Sequence, residues 1–536
     1  MTNTQIEAAL TAWKNALGTN AIVNDIDTLR IGAANCIGIQ RHIPAILYPK
    51  SAQDVAQIVR IAGQYKVPLY PYSTGRNWGY GSSNPTRDDC VLVDLSRMKR
   101  IIEFDAEIGL LTIEPGVTQR MLDTYLKQHR LPFMVPVTGA GPDCSLVGNA
   151  FERGYGITPY ADHFGAVMGL EAVLPNGDTY RSMLSGLGGE MIDKSFKWGM
   201  GPYVEGLLSQ SNFGIVTQMT IALAPLPERV EAFFFSVKKA DELELAVKKI
   251  RQVLREVGAV TGSINLMNKH RVLSMSESYP KDRLGPDGLI PESVLKEMMR
   301  RNQVMEWTAV GAIYGNKQIV AAARGQIRKI LRPVAKRLIF FTPRLVKFMH
   351  GTAQTLPIIR NLHLVNVLGT LHKTMQLFAG EPSEIALPLS YWRSGTLPPD
   401  GKPMNPAQDG CGLIWYSPLV PMKPNLTREY VNMVTNICVK YRIEPLITLT
   451  SLSERCWDST VPILYDRQNP EEMERAQACY KELLENGRKL GFIPYRLGIQ
   501  SMNFPEENNA VPEVLKTIKS AIDPNHIIAP GRYGLS

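Results

Sequence analysis

The stretch that decides the fold is PYSTGRNWGYGSSNP, residues 71–85. It follows a short apolar run, residues 67–70, that is predicted to be a strand. Its glycines let backbone N–H groups turn toward a ligand without a side chain in the way, and Arg76 can add positive charge. A concave row of N–H groups binds anions, so the loop is interpreted as a cradle for a dinucleotide pyrophosphate. An ordinary glycine-rich turn is the alternative for this loop taken alone.

The sequence around the loop alternates strand and helix patterns. Residues 44–72 predict a strand, a helix capped by Ser51, and a second strand. Further strands are predicted at 90–94 and 110–114, and a helix at 118–129. No GxGxxG motif opens a helix directly after the first strand, which excludes the dinucleotide fold of the common dehydrogenases. The pattern therefore favours an α+β domain whose phosphate site is a different loop.

Two further stretches, 138–163 and 197–214, are rich in glycine and small residues. They suggest backbone that lies against a flat or phosphorylated ligand. The second leads into an apolar strand at 215–223 and a proline-marked exit at 224–227, where a domain boundary is predicted. Beyond it, helices and strands alternate at longer spacing, which is typical of a mixed sheet covered by helices.

Composition sets limits on the class of protein. A chain of 536 residues is too long for one core, so at least two domains are expected. The net charge of +9 suits anionic ligands, and the absence of an RNA-binding motif argues against nucleic acid. The seven cysteines form no CxxC pair and the eight histidines are scattered, which predicts free thiols and no metal site.

The N-terminus predicts an amphipathic helix instead of a signal peptide, and no apolar run reaches the ~18 residues of a spanning helix. We therefore expect a cytoplasmic protein, with a periplasmic location by another route left open. Residues 324–350 carry eight Lys or Arg and no acid. This segment is either a solvated basic face or a surface for a partner or membrane.

Six motifs in order carry a resemblance to a known family. They are STGRNWGYGSSNP (73–85), VGNAFERGYGITPYADHF (147–164), KWGMGPYVEGLLSQSNFGIVT (197–217), LYDRQNPEE (464–472), PYR (494–496) and DPNHIIAPGR (523–532). The chain resembles the FAD-linked oxidoreductases of the vanillyl-alcohol oxidase and 4-cresol methylhydroxylase type. The resemblance implies an α+β fold with an FAD-binding domain made of residues 1–226 and 500–536. A cap or substrate domain, 227–499, would cover the isoalloxazine, and a homodimer is expected.

The resemblance also implies residue roles. Tyr80, Tyr495 and Arg496 would hold a phenol as its phenolate, because two phenolic O–H donors and a guanidinium stabilise the anion. The ionised oxygen eases hydride loss from the benzylic carbon to flavin N5, with a quinone methide as product. Residues expected to contact FAD are Ser73, Thr74, Gly75, Arg76, Asn77, Gly79, Gly148, Asn149, Gly156, Ile157, Tyr160, Gly214, Ile215 and Arg532.

Family members often tether FAD covalently, but the tethering positions differ here. Leu413 stands at the histidine position of one subgroup, and Ser390 at the tyrosine position of another, with Tyr391 one residue away. Loop 73–85 holds no histidine. We therefore predict non-covalent FAD, with Cys144, in a Cys-x-x-Val-Gly spacing that other relatives use, as the alternative linkage.

The substrate positions also depart from the family pattern. Ala140 stands where the vanillyl-alcohol subgroup places an aspartate. Asp143 is a candidate base on its position alone, and a loop-capping aspartate is the alternative that its position favours. Ala386, Leu449 and residues 458–459 occupy the positions of acidic residues and a histidine in the cresol type. The para substituent is therefore left open.

Three functions remain in competition. The first is oxidation of a para-substituted phenol, with oxygen or a cytochrome as electron acceptor. The second is FAD-dependent oxidation of a 2-hydroxy acid or another alcohol, in which Arg496 would bind a carboxylate. The third is a flavoprotein subunit that docks a redox partner, with residues 324–350 as the candidate docking segment.

Overall fold

The structure, a computed structural model, describes residues 3–347, 351, 362–395, 397–399, 401–503 and 510–535. Its helices are α1 Asn3–Leu17, α2 Ile26–Gly32, α3 Ala52–Tyr65, α4 Gln119–Gln128, α5 Leu146–Phe151, α6 Met183–Gly186, α7 Leu243–Val257, α8 Lys269–Ser276, α9 Glu292–Asn302, α10 Lys317–Leu331, α11 Leu362–Phe378, α12 Pro388–Tyr391, α13 Pro424–Lys440, α14 Pro470–Leu490 and α15 Val511–Ile522. Its strands are β1 Ile22–Val23, β2 Ile46–Leu47, β3 Leu69–Tyr72, β4 Val91–Asp94, β5 Ile101–Asp105, β6 Leu110–Ile113, β7 Val167–Val173, β8 Thr179–Tyr180, β9 Ile215–Ala222, β10 Arg229–Val237, β11 Asn265–Asn268, β12 Trp307–Gly315, β13 Arg337–Phe341, β14 Cys411–Tyr416, β15 Leu419–Pro421, β16 Thr448–Ser451 and β17 Cys456–Asp466.

The first sheet has four strands in the order β1-β2-β4-β3 and presents the glycine-rich loop. Strands β2 and β3 both run parallel to β4. The Ser51 hydroxyl caps α3 by accepting from the Asp54 N–H at 3.1 Å, and the apolar face of the helix is buried, as the sequence predicted. Because β3 ends at Tyr72, residues 73–85 leave the sheet at the carboxyl ends of parallel strands, where such sheets bind ligands.

The second sheet has five antiparallel strands in the order β5-β6-β9-β7-β8. The predicted strands at 110–114 and 215–223 are β6 and β9, which pair directly. Helix α4 starts after Thr118, whose hydroxyl accepts from the Met121 N–H, so the helix predicted at 118–129 is confirmed. The glycine-rich stretch 138–163 contains α5, whose N-cap is Ser145.

The third sheet has eight strands in the order β13-β10-β12-β11-β16-β17-β14, with β15 also paired to β17. The sequence predicted a mixed sheet, whereas every strand pair described here is antiparallel. The reason is that β12 inserts between β10 and β11, two strands that the crossover through α7 would otherwise leave as parallel neighbours. Helices α7, α10, α13 and α14 supply much of the large apolar core against this sheet.

The C-terminal segment returns to the first sheet. The Leu69 N–H donates to the Ile527 carbonyl, and the Ala529 N–H donates to the Leu69 carbonyl, both at 2.7 Å. Nearby, the Lys519 ammonium is fully buried and pairs with Asp523 at 2.6 Å. The boundaries at 226 and 499 stay a prediction. Among the helices that the structure describes, none combines the length and apolarity needed to cross a membrane.

Candidate functional site

A cavity of about 1110 Å³ lies between the glycine-rich loops and the eight-stranded sheet. This volume exceeds the roughly 300–1,000 Å³ that is typical of pockets for drug-sized ligands, so the cavity has room for a large ligand and a second small molecule. Its walls come from loop 70–82, residues 137–157, the start of β9, the third sheet and the C-terminal segment. Parts of the chain more than 400 residues apart therefore share one site.

The loop that follows β3 forms one end of the cavity. Gly75 has φ +66°, a conformation in which a side chain would be strained. The Thr74 hydroxyl accepts from the Ser145 N–H at 3.1 Å, which ties the loop to the start of α5. A Cβ at Gly148 would collide with the Ser73 hydroxyl. The two stretches thus approach each other closely only because position 148 has no side chain.

Most of the residues predicted to contact FAD line this cavity. They are Ser73, Thr74, Gly75, Arg76, Asn77, Cys144, Gly148, Asn149, Gly156, Ile157, Gly214, Ile215 and Arg532. Gly79 and Tyr160 do not line it. Gly79 lies under the third sheet, where a Cβ would come within 2.5 Å of Trp415 Cδ1. Tyr160 is exposed on a turn beyond the cavity wall.

The predicted phenol-binding residues meet in the cavity. Tyr80, Tyr495 and Arg496 all line it, and the Arg496 guanidinium carbon lies 4.1 Å from the centre of the Tyr80 ring. Arg496 Nη2 also donates to Asn77 Oδ1 at 2.6 Å. The guanidinium therefore rests on the face of Tyr80 and is anchored to the end of the glycine-rich loop.

The two tyrosines retain their protons. Burial raises the pKa of Tyr80 and of Tyr495, more strongly than the neighbouring Arg496 lowers either. The Tyr80 hydroxyl is 2.7 Å from Ser417 Oγ, and the Tyr495 ring packs edge-on against Tyr155 with centroids 5.3 Å apart. Both phenols are thus donors held by packing, and they can stabilise an anion without ionising themselves.

Glu152 joins two buried arginines. Its Oε1 accepts from Arg532 Nη2 at 2.5 Å, and its Oε2 is 3.5 Å from Arg496 Nη2. Burial disfavours the charge on Arg532, but Glu152 and Tyr70 more than offset this and hold its pKa above the ordinary value. Arg532 Nη1 also donates to the Tyr70 hydroxyl at 3.1 Å. Both guanidinium groups are therefore permanent cations in the cavity wall.

A buried carboxyl group, Asp458, faces the same end of the cavity. It is 4% exposed, and its Oδ1 has no hydrogen-bond partner among the described residues. Burial raises the pKa of Asp458 to about 8, although Arg496 lowers it. Sequence reasoning named residues 458–459 as a family position but assigned Asp458 no role. The available signal was a single carboxylate in the otherwise uncharged run 456–465.

Asp143, the predicted candidate base, lies elsewhere. Its Oδ1 accepts from Arg120 Nε at 2.9 Å in a partly exposed ion pair, and the residue does not line the cavity. The Asp143 carboxylate instead lies against α4, the helix that carries Arg120. The structure does not bring Asp143 to the site.

The residues present fit FAD. The cradle at 73–77 offers glycine-rich backbone and Arg76 to a pyrophosphate. Within the part of the chain that the structure describes, the buried Nε atoms of Arg496 and Arg532 have no hydrogen-bond partner, so the wall presents donors that a polar ring or a phenolate could use. Donors of this kind suit an anion or a carbonyl oxygen, and the cavity is large enough to hold a cofactor beside a substrate.

Comparison with known proteins agrees with this geometry. Residues 43–182 match the model of the FAD binding domain family. The chain is 36% identical over 99% of its length to 1'-carboxy-chondrochloren decarboxylase of Chondromyces crocatus, covering 98% of that protein. It is 29% identical over 92% of its length to the flavoprotein subunit of 4-cresol dehydrogenase (hydroxylating) of Pseudomonas putida, covering 88% of that protein. The crystal structure of p-cresol methylhydroxylase with substrate bound superposes with a TM-score of 0.87 at 26% identity, covering all of this chain and 98% of that one.

Proposed function

Because the chain belongs to the vanillyl-alcohol oxidase and 4-cresol methylhydroxylase family of FAD-dependent oxidoreductases, we propose that it oxidises a para-substituted phenol. The observation that carries the proposal is the convergence of Tyr80, Tyr495 and Arg496 on one cavity. Two protonated phenols and a permanent cation stabilise a substrate phenolate. Oxidation of 2-hydroxy acids is the rival, since Arg496 could bind a carboxylate instead.

In the proposed reaction the chain positions and ionises the phenol. Arg496, Tyr80 and Tyr495 bind the phenolate oxygen, whose charge pushes electrons toward the benzylic carbon and eases loss of a hydride. FAD, held by the cradle at 73–77, would supply the two-electron redox chemistry that this hydride loss requires. The chain's remaining task is to take the phenol proton. We assign this role to Asp458, because the residue lines the cavity near Arg496 and its Oδ1 has no hydrogen-bond partner among the described residues.

The test is anaerobic reduction of the flavin followed by its absorbance. We expect 4-alkylphenols to bleach the oxidised spectrum and 2-hydroxy acids to leave it unchanged. Bleaching by hydroxy acids alone would reject the proposal. Reoxidation of the reduced protein by oxygen or by a cytochrome then identifies the electron acceptor, and transfer through a docked partner subunit predicts reoxidation by the cytochrome only.

A second candidate is oxidation coupled to loss of CO₂. A relative 36% identical is named a decarboxylase, and Arg271 places a cation on the cavity wall. If the carbon next to the benzylic position carries a carboxylate, hydride loss first gives the quinone methide. The electron pair of the C–COO⁻ bond then forms the side-chain double bond, CO₂ leaves, and the ring returns to phenolate. Release of one CO₂ per flavin reduced is the measurement.

Asp458 predicts a pH dependence. With a pKa near 8, its carboxyl group is protonated below that pH and cannot take the phenol proton. We expect kcat/KM for flavin reduction to rise as pH passes through about 8, and Asp458→Asn to lose this limb while the limb from the substrate's own ionisation remains. The control is Asp143→Asn, which changes a carboxylate outside the cavity and should keep the wild-type profile. An unchanged profile in Asp458→Asn would exclude Asp458 as the proton acceptor.

We further propose that FAD is held without a covalent bond. The buried Cys144 thiol has its pKa raised by desolvation, which keeps it in the unreactive protonated form. The Tyr391 hydroxyl donates to Asp409 at 2.6 Å, and Tyr391 does not line the cavity. Mass spectrometry of the denatured protein should therefore give the mass of the chain alone. A mass raised by that of FAD would contradict this.

A further inference from the structure

Arg271 is a cation on the cavity wall without a carboxylate partner among the described residues. It lies in the first turn of α8, directly after β11. Its guanidinium makes one hydrogen bond within the described chain, from Nη1 to Ser274 Oγ at 3.3 Å. Desolvation by the surrounding protein lowers its pKa to about 10, so the group stays charged at neutral pH. A guanidinium has five N–H donors, and most of those on Arg271 are not used by the described residues.

The lysine nearest to Arg271 on α8 and the carboxylates that line the cavity lie close to groups of opposite charge. Lys269, two residues earlier on α8, lies 3.4 Å from Glu306 and 3.6 Å from Glu292. Among the cavity carboxylates, Glu152 pairs with Arg532 and Asp458 lies near Arg496. A third, Glu384, lies near Arg120. A desolvated cation without a counter-charge is costly, so Arg271 indicates an anionic ligand in the cavity.

The third sheet relates Arg271 to the phenol end of the cavity. Cavity-lining residues form two rows across strands β11, β16 and β17: Asn265, Thr450 and Asp458 in one, and Met267, Thr448 and Thr460 in the other. The first row contains Asp458, beside Arg496. On each strand the second row is separated from the first by two residues, about 7 Å. On β11 the chain continues from Met267, in the second row, to Arg271.

A second polar group on this wall also lacks a partner. Thr448 is 7% exposed and lines the cavity, and its Oγ1 makes no hydrogen bond to any residue that the structure describes. It belongs to the row nearer Arg271. A buried hydroxyl is normally hydrogen-bonded, so this one indicates a polar ligand atom on the same side of the cavity.

We propose that Arg271, with the Thr448 hydroxyl, binds a carboxylate carried on the para substituent of the substrate. The proposal rests on the proposed function and names its substrate class: phenols with an anionic side chain. The phenol oxygen would lie against Arg496 and the carboxylate against Arg271. Fixing both ends holds the benzylic carbon at a defined place between them, which is the part of catalysis that positioning supplies.

The experiment compares 3-(4-hydroxyphenyl)propanoate with its uncharged primary amide. Dissociation constants are measured by isothermal titration calorimetry on FAD-loaded protein that has been reduced anaerobically, so that no turnover intervenes. We expect the wild-type protein to bind the acid roughly 10- to 100-fold more tightly than the amide, as a hydrogen-bonded charge pair implies. Equal affinity for the acid and the amide would overturn the proposal.

Variants test whether Arg271 is responsible. Arg271→Gln should abolish the preference for the acid, Arg271→Lys should restore part of it, and Thr448→Val should reduce it several-fold. Lys269→Gln, which removes a paired cation two residues away, should keep the wild-type preference. If Lys269→Gln also loses the preference for the acid, the preference depends on the net positive charge of this region and not on Arg271, and the proposal is overturned. If neither the acid nor 4-ethylphenol reduces the wild-type flavin, the proposed function fails, whereas reduction by 4-ethylphenol with no preference for the acid rejects the role of Arg271 alone.

Discussion

Replacing Arg496 by methionine should slow flavin reduction by a 4-alkylphenol by roughly 10²- to 10³-fold, the usual cost of removing one group that stabilises an oxyanion. The side chain of methionine fills much of the same volume over the Tyr80 ring but carries no charge. The bound phenol should then ionise near its free pKa, so the rate should recover as pH approaches about 10. The measurement is stopped-flow reduction as a function of pH, together with the spectrum of the bound phenol.

Two variants make this result specific. Arg496→Lys keeps the charge but not the fork that also bonds Asn77, and it should lie between wild type and Arg496→Met. Arg393→Met removes a partly buried arginine that pairs with Glu472 away from the cavity, and it should reduce at the wild-type rate. FAD content is measured for each variant, so that lost cofactor is not mistaken for lost chemistry. A rate for Arg496→Met close to that of wild type would remove the guanidinium from the mechanism.

Local sequence signals were sufficient for the cofactor cradle. The strand, helix and loop at 44–85 depend on a cap at Ser51, periodic apolar residues and glycines, all of which act within a few residues. The structure confirms these elements and places the loop at the end of β3. The contact between Arg496 and Asn77 spans 419 positions, and no local signal predicts it. The family resemblance predicted only that Arg496 acts together with Tyr80 and Tyr495.

The charged groups that the sequence did not assign are those defined by tertiary burial. Glu152 lies inside a motif, yet nothing local indicates that it joins two arginines. Arg271 follows Lys269 and His270 in one basic run of the sequence. In the fold, Lys269 pairs with Glu306 whereas Arg271 lines the cavity, and the sequence alone does not distinguish them. Asp143 was a candidate base on its position alone, and its ion pair with Arg120 on α4 is a tertiary contact that the local sequence does not indicate.

The basic segment 324–350 also lies partly within the described chain. Residues up to Leu331 belong to α10, where Arg324 lies 3.4 Å from the buried Glu231 and Arg328 stacks over Phe340. Residues 348–350 lie outside the described residues. At least two of its cations are therefore used within the fold, and docking by this segment stays a prediction.

Removing the Glu152 carboxylate should be the most destabilising single change at the site. Glu152→Ala leaves Arg496 and Arg532, each 9% exposed, without their shared counter-charge. Breaking a buried ion pair by deleting one partner costs about 3–5 kcal/mol, because the remaining charge is neither hydrated nor paired. We expect the urea midpoint of the FAD-free protein to fall accordingly.

The matched variant is Glu152→Gln, which keeps the shape and one acceptor oxygen for Arg532 but removes the charge. It should lose part of the stability that Glu152→Ala loses, since the hydrogen bond survives. A surface comparison is Glu297→Ala, whose exposed pairs with Arg283 and Arg301 are screened by solvent, so the urea midpoint should change little. If Glu152→Ala unfolds at the same urea concentration as Glu297→Ala, the two arginines must be neutralised by something other than Glu152. That group, and not Glu152, would then balance the positive charge at the phenolate site.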